Sequence, residues 1–494
     1  MGIIQQQAIK GTVYAYIGVF IGFVTTAILF PRILSVEEIG LLRLLVSFSV
    51  IFSQFGSLGF NTVIYRLFPY FRDKDTGHNG FLSVAVLVSF MGALLSMAIL
   101  GLLSSWIIDN NIDKSALFVD YFYLLFPLIF FTIFFNLFDT YNRALYDAIA
   151  GTVAKELFQR VFILLSIIAY FFQWVSLKQF VIIYTISLSL PAILMIILLI
   201  SRKQILFTIP TRIFTRSMIK EILNLCFYGI IGGFASMAIF QVDSILVNKY
   251  LGLGMTGIYA TNFYFGSLIL ISSRTLIKIS VTVVSESWKN NDLSNIFSVY
   301  KKSAVNQSIV SVLLFVLIWV NIDSIYHILP EKFAAGKWVI FFVGLSNVVE
   351  MSTGVNRMII QTSKYFRVNT LFIFIWLGLL IITNILLIPP LGITGAAIGT
   401  LFSNAVTNLL RFGFLKIRYN MQPFDYKIVL VLVFGGIAYF AGFLLPSLPH
   451  FIPDIILKSS VSLAVFIALV IKINISEEIN TEFRKLLSKL SFKK

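Results

Sequence analysis

Stretches of about twenty apolar residues follow one another along this 494-residue chain, with only short polar breaks between them. A helix needs about 20 apolar residues to cross the roughly 30 Å hydrocarbon core of a bilayer. Fourteen segments approach that length, at about 10–31, 40–66, 80–103, 117–142, 151–172, 179–200, 220–247, 257–285, 303–320, 336–358, 368–388, 393–416, 427–446 and 455–473. Runs such as Leu95–Leu103 and Leu379–Ile388 are too continuous for the alternating pattern of a membrane barrel, so the backbone must be satisfied inside helices. With 58% hydrophobic and 12% charged residues, a soluble core is excluded. The chain reads as an all-α polytopic membrane protein with about 14 transmembrane helices.

Charge placement supports the count. Basic residues gather on the cytoplasmic side of a membrane protein. With both termini set inside, 27 of the 38 Lys and Arg fall on that side, Arg202, Arg357, Arg411 and Lys472 among them. Seven, including Arg32, Lys114 and Lys458, fall outside, and Arg43, Arg160, Arg274 and Lys278 lie within spans. The net charge of +16 therefore needs no nucleic-acid partner; it is the inside bias, and it favours anionic headgroups among the membrane lipids. Cys226 is the only cysteine, which rules out a disulfide framework. The first span is too long for a signal peptide and should be retained.

The longest inner connection, 201–219, carries Pro210 and divides the first twelve spans into two sets of six. The expected organisation is a six-helix lobe over 1–200, the linker at 201–219, a second lobe over 220–418, two further helices over 419–473 and a basic tail over 474–494. Internal repeats are common in transporters, and one is visible here. Leu253-Gly254-Met255-Thr256-Gly257 echoes Leu391-Gly392-Ile393-Thr394-Gly395, each where the chain turns into a new span. In the first half, Leu34-x-Val36-x3-Gly40 matches Leu251-x-Leu253-x3-Gly257. Either short membrane turns favour glycine, or the halves are duplicates; matched positions favour duplication. In the tail, Ser476-Glu477-Glu478 has the form of a helix start. The apolar face from Ile479 to Leu490 beyond it is either a helix on the inner leaflet or a frayed basic end.

Catalytic chemistry is not evident. His78, His327 and His450 are scattered among loops, and no phosphate-binding loop occurs. Asp73-Lys74-Asp75 has the look of a metal-binding acidic pair but sits in a basic loop, where a solvated charge run is expected. Function therefore rests on the intramembrane charges, each costing about 2.5–3.5 kcal/mol on insertion scales. Arg274 and Lys278 are one turn apart without an adjacent acid, so they want an anion from another helix or a substrate. Ser267 and Ser285 extend their face. Arg160 lies about 14 Å into its span, with Glu156 at the i−4 position as an alternative partner. Arg43 and Asp243 form either an outer gate or two interfacial residues. Glu350 with Arg357, and Asp139 with Arg143, are further acid–base pairs and candidates for gating or ion coupling. Asn404, Asn408 and Arg411 share one helix face. The deep cations outnumber the deep acids, which suits a phosphate-bearing substrate.

Taken together, the fourteen spans, Asp243 followed by Leu251-Gly252 and Gly257-Ile258-Tyr259, and Leu387-Ile388-Pro389-Pro390-Leu391-Gly392-Ile393-Thr394-Gly395-Ala396-Ala397 resemble the polysaccharide (O-antigen-type) flippases. These belong to the multidrug/oligosaccharidyl-lipid/polysaccharide (MOP) exporter superfamily. The resemblance implies two six-helix lobes around a cavity lined by spans one, two, seven and eight, working by alternating access in the bacterial cytoplasmic (inner) membrane. It implies a polyprenyl-pyrophosphate-linked oligosaccharide substrate, no catalytic activity, no cofactor, and coupling to a proton or sodium gradient or to the membrane potential. A polysaccharide polymerase or other glycan-assembly proteins would be its partners. By location Arg43, Arg274 and Lys278 fit the basic cavity, with Arg160 beside them. The competing expectations are a cation-coupled drug exporter of the same superfamily, against which stands the absence of an acid between Lys10 and Arg32, and a non-transporting component of glycan assembly.

Overall fold

A computed structural model describes residues 3–73, 77–202 and 215–481, with the side chains of residues 3–10, 12, 274, 275, 278 and 279 outside the described set. The described chain is all-helical, and eleven of its helices are long and apolar enough to cross a membrane. One of the eleven, Phe366–Tyr419, bends at Gly392 and so holds two arms. The chain is a multi-pass membrane protein. It divides into two compact units, Met1–Ala260 and Thr261–Lys494, a division by packing that need not coincide with the halves of a sequence repeat.

In the first unit α1 (Ile3–Gly22) continues through a π-helical turn at Phe23–Leu29. There follow α2 (Val36–Gly56), α3 (Phe60–Phe71), α4 (Phe81–Asp109), α5 (Leu125–Ala144), α6 (Arg160–Phe171) and α7 (Leu177–Ser201). The unit continues with α8 (Arg216–Ala238) and with α9 (Val242–Ser267), whose last turns cross the division. A second π-helical turn, Val153–Gln159, leads into α6 and packs against α1. The core is an aromatic cluster. Phe68 meets Phe81 at 5.4 Å and Tyr141 at 5.1 Å, ring centre to ring centre, and His78 joins them at 5.3 Å as a packed core ring.

The second unit holds α10 (Ser273–Lys289), α11 (Leu293–Val320), α12 (Lys337–Ser352), α13 (Phe366–Tyr419), α14 (Tyr426–Phe443) and α15 (Phe451–Lys472). Here α12 packs on α13, and α14 is held between α11 and α15. Val312, Val316, Phe434 and Phe466 fill the space between them.

Helix ends follow local chemistry. Ser35 and Glu38 form a reciprocal capping box at the start of α2, as do Ser176 and Gln179 at α7. The turns foreseen around the repeated glycines are present, but one is displaced. Gly392 has φ +60, as its place in the echo predicts, whereas the partner break is at Gly252, φ +83, rather than at Gly254. Those φ values are open to glycine without steric cost. Ser476 Oγ accepts from the Ile479 amide at 3.3 Å, so a helix does begin where the tail sequence predicts one. The remaining tail, 482–494, most of the 201–219 linker, and Lys74 and Asp75 lie outside the described residues.

Candidate functional site

The two sequence motifs related by the repeat touch each other crosswise. A Cβ at Gly40 of α2 would collide with the carbonyl of Leu253 in α9, and a Cβ at Gly257 would collide with the carbonyl of Val36. In the sequence match Val36 corresponds to Leu253 and Gly40 to Gly257. Each contact is therefore the other with the two copies exchanged, the signature of a self-complementary two-fold interface. Glycine at both places lets the backbones meet, which is how small residues bring membrane helices together.

Polar groups close the same seam. The Arg43 guanidinium donates to Ser244 Oγ at 2.8 Å and to the Phe240 carbonyl at 3.0 Å. Ser47 Oγ donates to Gln241 Oε1 at 3.1 Å. Asp243, buried, accepts from the Tyr259 hydroxyl at 2.9 Å. Arg43 and Asp243 are thus in one place, as their positions near the outer ends of their spans suggested, within electrostatic reach of each other, while the hydrogen bonds just described run to different partners. The hairpin ahead of α5 fastens the break at Gly252: Ser115 Oγ donates to Asn248 at 2.8 Å, Lys114 Nζ to the Tyr250 carbonyl at 3.1 Å, and Leu253 N to the Lys114 carbonyl at 3.4 Å. Further along, Gln54 lies against Gly233, and Gly59 against Gly229 and Cys226.

Arg160 sits elsewhere in the unit. It pairs with Glu156 at 2.8 Å, and the pair lies over Gly18 and Gly22 of α1, where any Cβ would strike Glu156 and Arg160. The i,i+4 alternative read from the sequence is the one realised, although a π-helical turn rather than regular helix leads into Arg160. Asp139 and Arg143 also pair, at 2.7 Å. Arg274 and Lys278 fall on one unbroken helix, α10, a turn apart; their side chains lie outside the described residues. A 3₁₀ segment, Leu268–Ile271, separates them from Ser267, so that hydroxyl is not on a continuous α-helical face with them. Ser267 Oγ instead returns to the Tyr264 carbonyl at 2.8 Å.

The second unit carries a polar core. Asn408 Nδ2 donates to Glu350 at 2.6 Å, and Asn408 Oδ1 accepts from Thr353 and Asn356, each at 3.0 Å. Arg411 is wholly buried, with Glu350 at 4.0 Å and Trp376 beneath its guanidinium at 5.6 Å. Arg411, counted among the cytoplasmic basic residues, thus sits in the packed core rather than on a surface. Arg357, spaced two turns from Glu350 in sequence, is not on the same helix: α12 ends at Ser352, and the chain turns at Gly354, φ +63, before a new helix. Lys458, assigned to an outer loop by charge counting, is likewise buried, paired with Asp454 at 2.9 Å. Gln241 and Trp376 carried no sequence signal beyond their type, and Tyr259 stood in a motif that did not mark it as the partner of Asp243. Among the described residues, no group of three or more His, Cys, Asp or Glu could hold a metal ion.

Solved structures share this architecture. A structure of the lipid II flippase MurJ in an inward closed conformation matches with TM-score 0.71 at 15% identity, covering 98% of this chain and 99% of that one. The chain has the MurJ and MATE fold. An inward-facing multidrug resistance MATE family transporter of the MOP superfamily matches with TM-score 0.62 at 12% identity, over 82% of this chain and 94% of that one. A MOP superfamily transporter from Pyrococcus furiosus matches with TM-score 0.52 at 14% identity, over 84% and 96%. No family model and no curated protein matches the sequence. At these identities it is the fold that is shared.

Proposed function

We propose that this protein is a flippase that carries a polyprenyl-pyrophosphate-linked oligosaccharide across the bacterial cytoplasmic membrane by alternating access, in the assembly of a cell-surface polysaccharide. The observation that carries the reading is the crosswise glycine contact of Gly40 with Leu253 and Gly257 with Val36. A self-complementary contact between repeat copies is what a rocking transporter needs at one face, where two copies must meet and part without unfolding. The fold comparison with a lipid II flippase supports the substrate class, as does the cationic set Arg43, Arg160, Arg274 and Lys278. Guanidinium groups bind phosphate oxygens in pairs.

In this reading Arg274 and Lys278 take the pyrophosphate, and Arg43 holds the seam through a serine hydroxyl and a backbone carbonyl, with Asp243 in electrostatic reach. Arg160 becomes available only when Glu156 gives it up. Asp243, Glu350, Asp139 and Arg357 are the groups through which a proton or sodium gradient would act. An inside-negative potential would by itself assist an outward-moving anion, by about 2.3 kcal/mol per charge per 100 mV.

The competing reading is a cation-coupled multidrug exporter, favoured by the fold it shares with the MATE transporters. Translocation of a labelled polyprenyl-pyrophosphate oligosaccharide in proteoliposomes separates the two. Transport by the wild type and its loss in Arg274→Ala/Lys278→Ala is the expected result. Transport by both would retain the function and remove the site. Drug efflux with no lipid translocation would transfer the chain to the exporter reading.

A further inference from the structure

Away from the seam, a cavity of about 690 Å³ opens between the start of the α6 segment and the end of α7. That is within the range of ligand pockets. Its floor is made of small or buried side chains, Ala150, Ala154 and Met195, and its walls of two exposed apolar ones, Phe158 and Ile197. Val153, Ala154 and Phe158 belong to the π-helical turn, and the same turn presents Glu156 and Arg160 to α1. The turn thus directs its charges to one side and its apolar residues to the groove.

The mouth is charged. Arg202, capping α7, pairs through Nη1 with Asp147 Oδ2. Asp147 is itself held in place, because its Oδ1 accepts the amides of Ile149 and Ala150 at 3.1 and 3.2 Å. The Arg202 side chain remains 43% exposed. It is also the first of a basic run in sequence, followed by Lys203. An apolar slot ending at a fixed, half-exposed guanidinium on the basic side of a membrane protein is complementary to one molecule of the bilayer. We propose that this groove binds an anionic diacyl phospholipid, its chains along Phe158 and Ile197 and its phosphate on Arg202. Basic pockets between membrane helices select such headgroups, and the planar donor fork suits a phosphate.

Native mass spectrometry of the purified full-length protein, exchanged into micelles holding equal amounts of phosphatidylglycerol and phosphatidylcholine, tests it. The wild type should retain phosphatidylglycerol in preference by about tenfold, the usual scale of one charge-assisted contact. Arg202→Gln should abolish that preference, and Ala150→Phe, which fills the slot, should abolish retention of both lipids. Asp147→Asn keeps an oxygen for the helix start while freeing the guanidinium, so it should raise the preference; this variant guards against simple misfolding of the first. Arg216→Gln, at the start of α8, should change nothing. Equal retention by wild type and Arg202→Gln, a fall in Asp147→Asn, or complete displacement of phosphatidylglycerol by a short polyprenyl phosphate would each overturn the proposal.

Discussion

Two regions of this protein hold an arginine among their helices, one half-buried and one wholly buried, and they do so in opposite ways. Arg43 crosses from α2 to the α8–α9 segment, where a serine hydroxyl and a backbone carbonyl accept its hydrogen bonds and the Asp243 carboxylate lies within electrostatic reach, beside glycines that keep the backbones close. Arg411 never leaves its own unit. It is wholly buried beside Glu350, which Asn408 ties to the turn at Thr353 and Asn356. Charge-assisted bonds of a half-exposed arginine can be exchanged for water or substrate, whereas a wholly buried charge deprived of its partner is expensive. The first arrangement suits a surface that opens. The second suits a body that moves without changing shape.

The contrast breaks most decisively at the seam. A Cβ at Gly254 would stand 3.4 Å from Val36 Cγ2, so cysteines at these two places have the reach of a disulfide. In a Cys226→Ser background, Val36→Cys/Gly254→Cys should lose essentially all transport on oxidation and recover it on reduction. Unimpaired transport by the cross-linked protein would mean that this seam does not open. Gly257→Leu addresses the same contact without chemistry. It should reduce transport by at least about tenfold, since overpacking of this kind costs about 1–3 kcal/mol.

The next effects belong to stability. Asp454→Asn leaves the buried Lys458 without its carboxylate, and loss of one member of a buried pair costs about 3–5 kcal/mol. Hydrogen exchange should rise in α14 and α15, with transport per folded molecule little changed. Glu350→Gln should lower the melting temperature of the detergent-solubilised protein by less, because Glu350 is partly exposed and 4.0 Å from Arg411. Adding Arg411→Met should restore most of that loss. An additive double mutant would show that the two charges do not interact.

Hydropathy and charge alternation made the helices legible, and the glycine echo singled out Gly40 and Gly257, but as turn glycines of a duplication and not as a contact between its copies. What was hidden has a common cause. An apolar residue facing lipid and one facing a neighbouring helix look alike in sequence, so nothing marked Arg411 or Lys458 as buried rather than interfacial. Tyr259 as the partner of Asp243 is equally silent, since one hydroxyl 16 residues away carries no periodic signal. The π-helical turns after α1 and before α6 were equally hidden, as was the fit of Glu156 and Arg160 over Gly18 and Gly22, a property of two segments together. Glu156–Arg160 itself was readable, because i,i+4 spacing is local.

The smallest effect separates the tail from both arginine sites. Lys302 in α11 donates to Glu478 at 2.9 Å, with both side chains well exposed. That hydrogen bond holds the Glu478 carboxyl below its ordinary value of 4.5. A depressed acid adds stability that is full above its unfolded value and is lost as the pH falls through its folded one. Docking of 476–481 should therefore be constant from neutral pH down to about 4.5 and weaken only below that. Exposed pairs are screened by salt, so the whole-protein melting temperature should not move with it. Limited proteolysis near Asn480 at pH 3.5 and 7 reads the difference, and Glu478→Gln should show the acid behaviour at both. If cleavage at neutral pH is the same with and without the carboxylate, the tail is held by Ile479 against the α11–α15 core, and the ion pair contributes nothing.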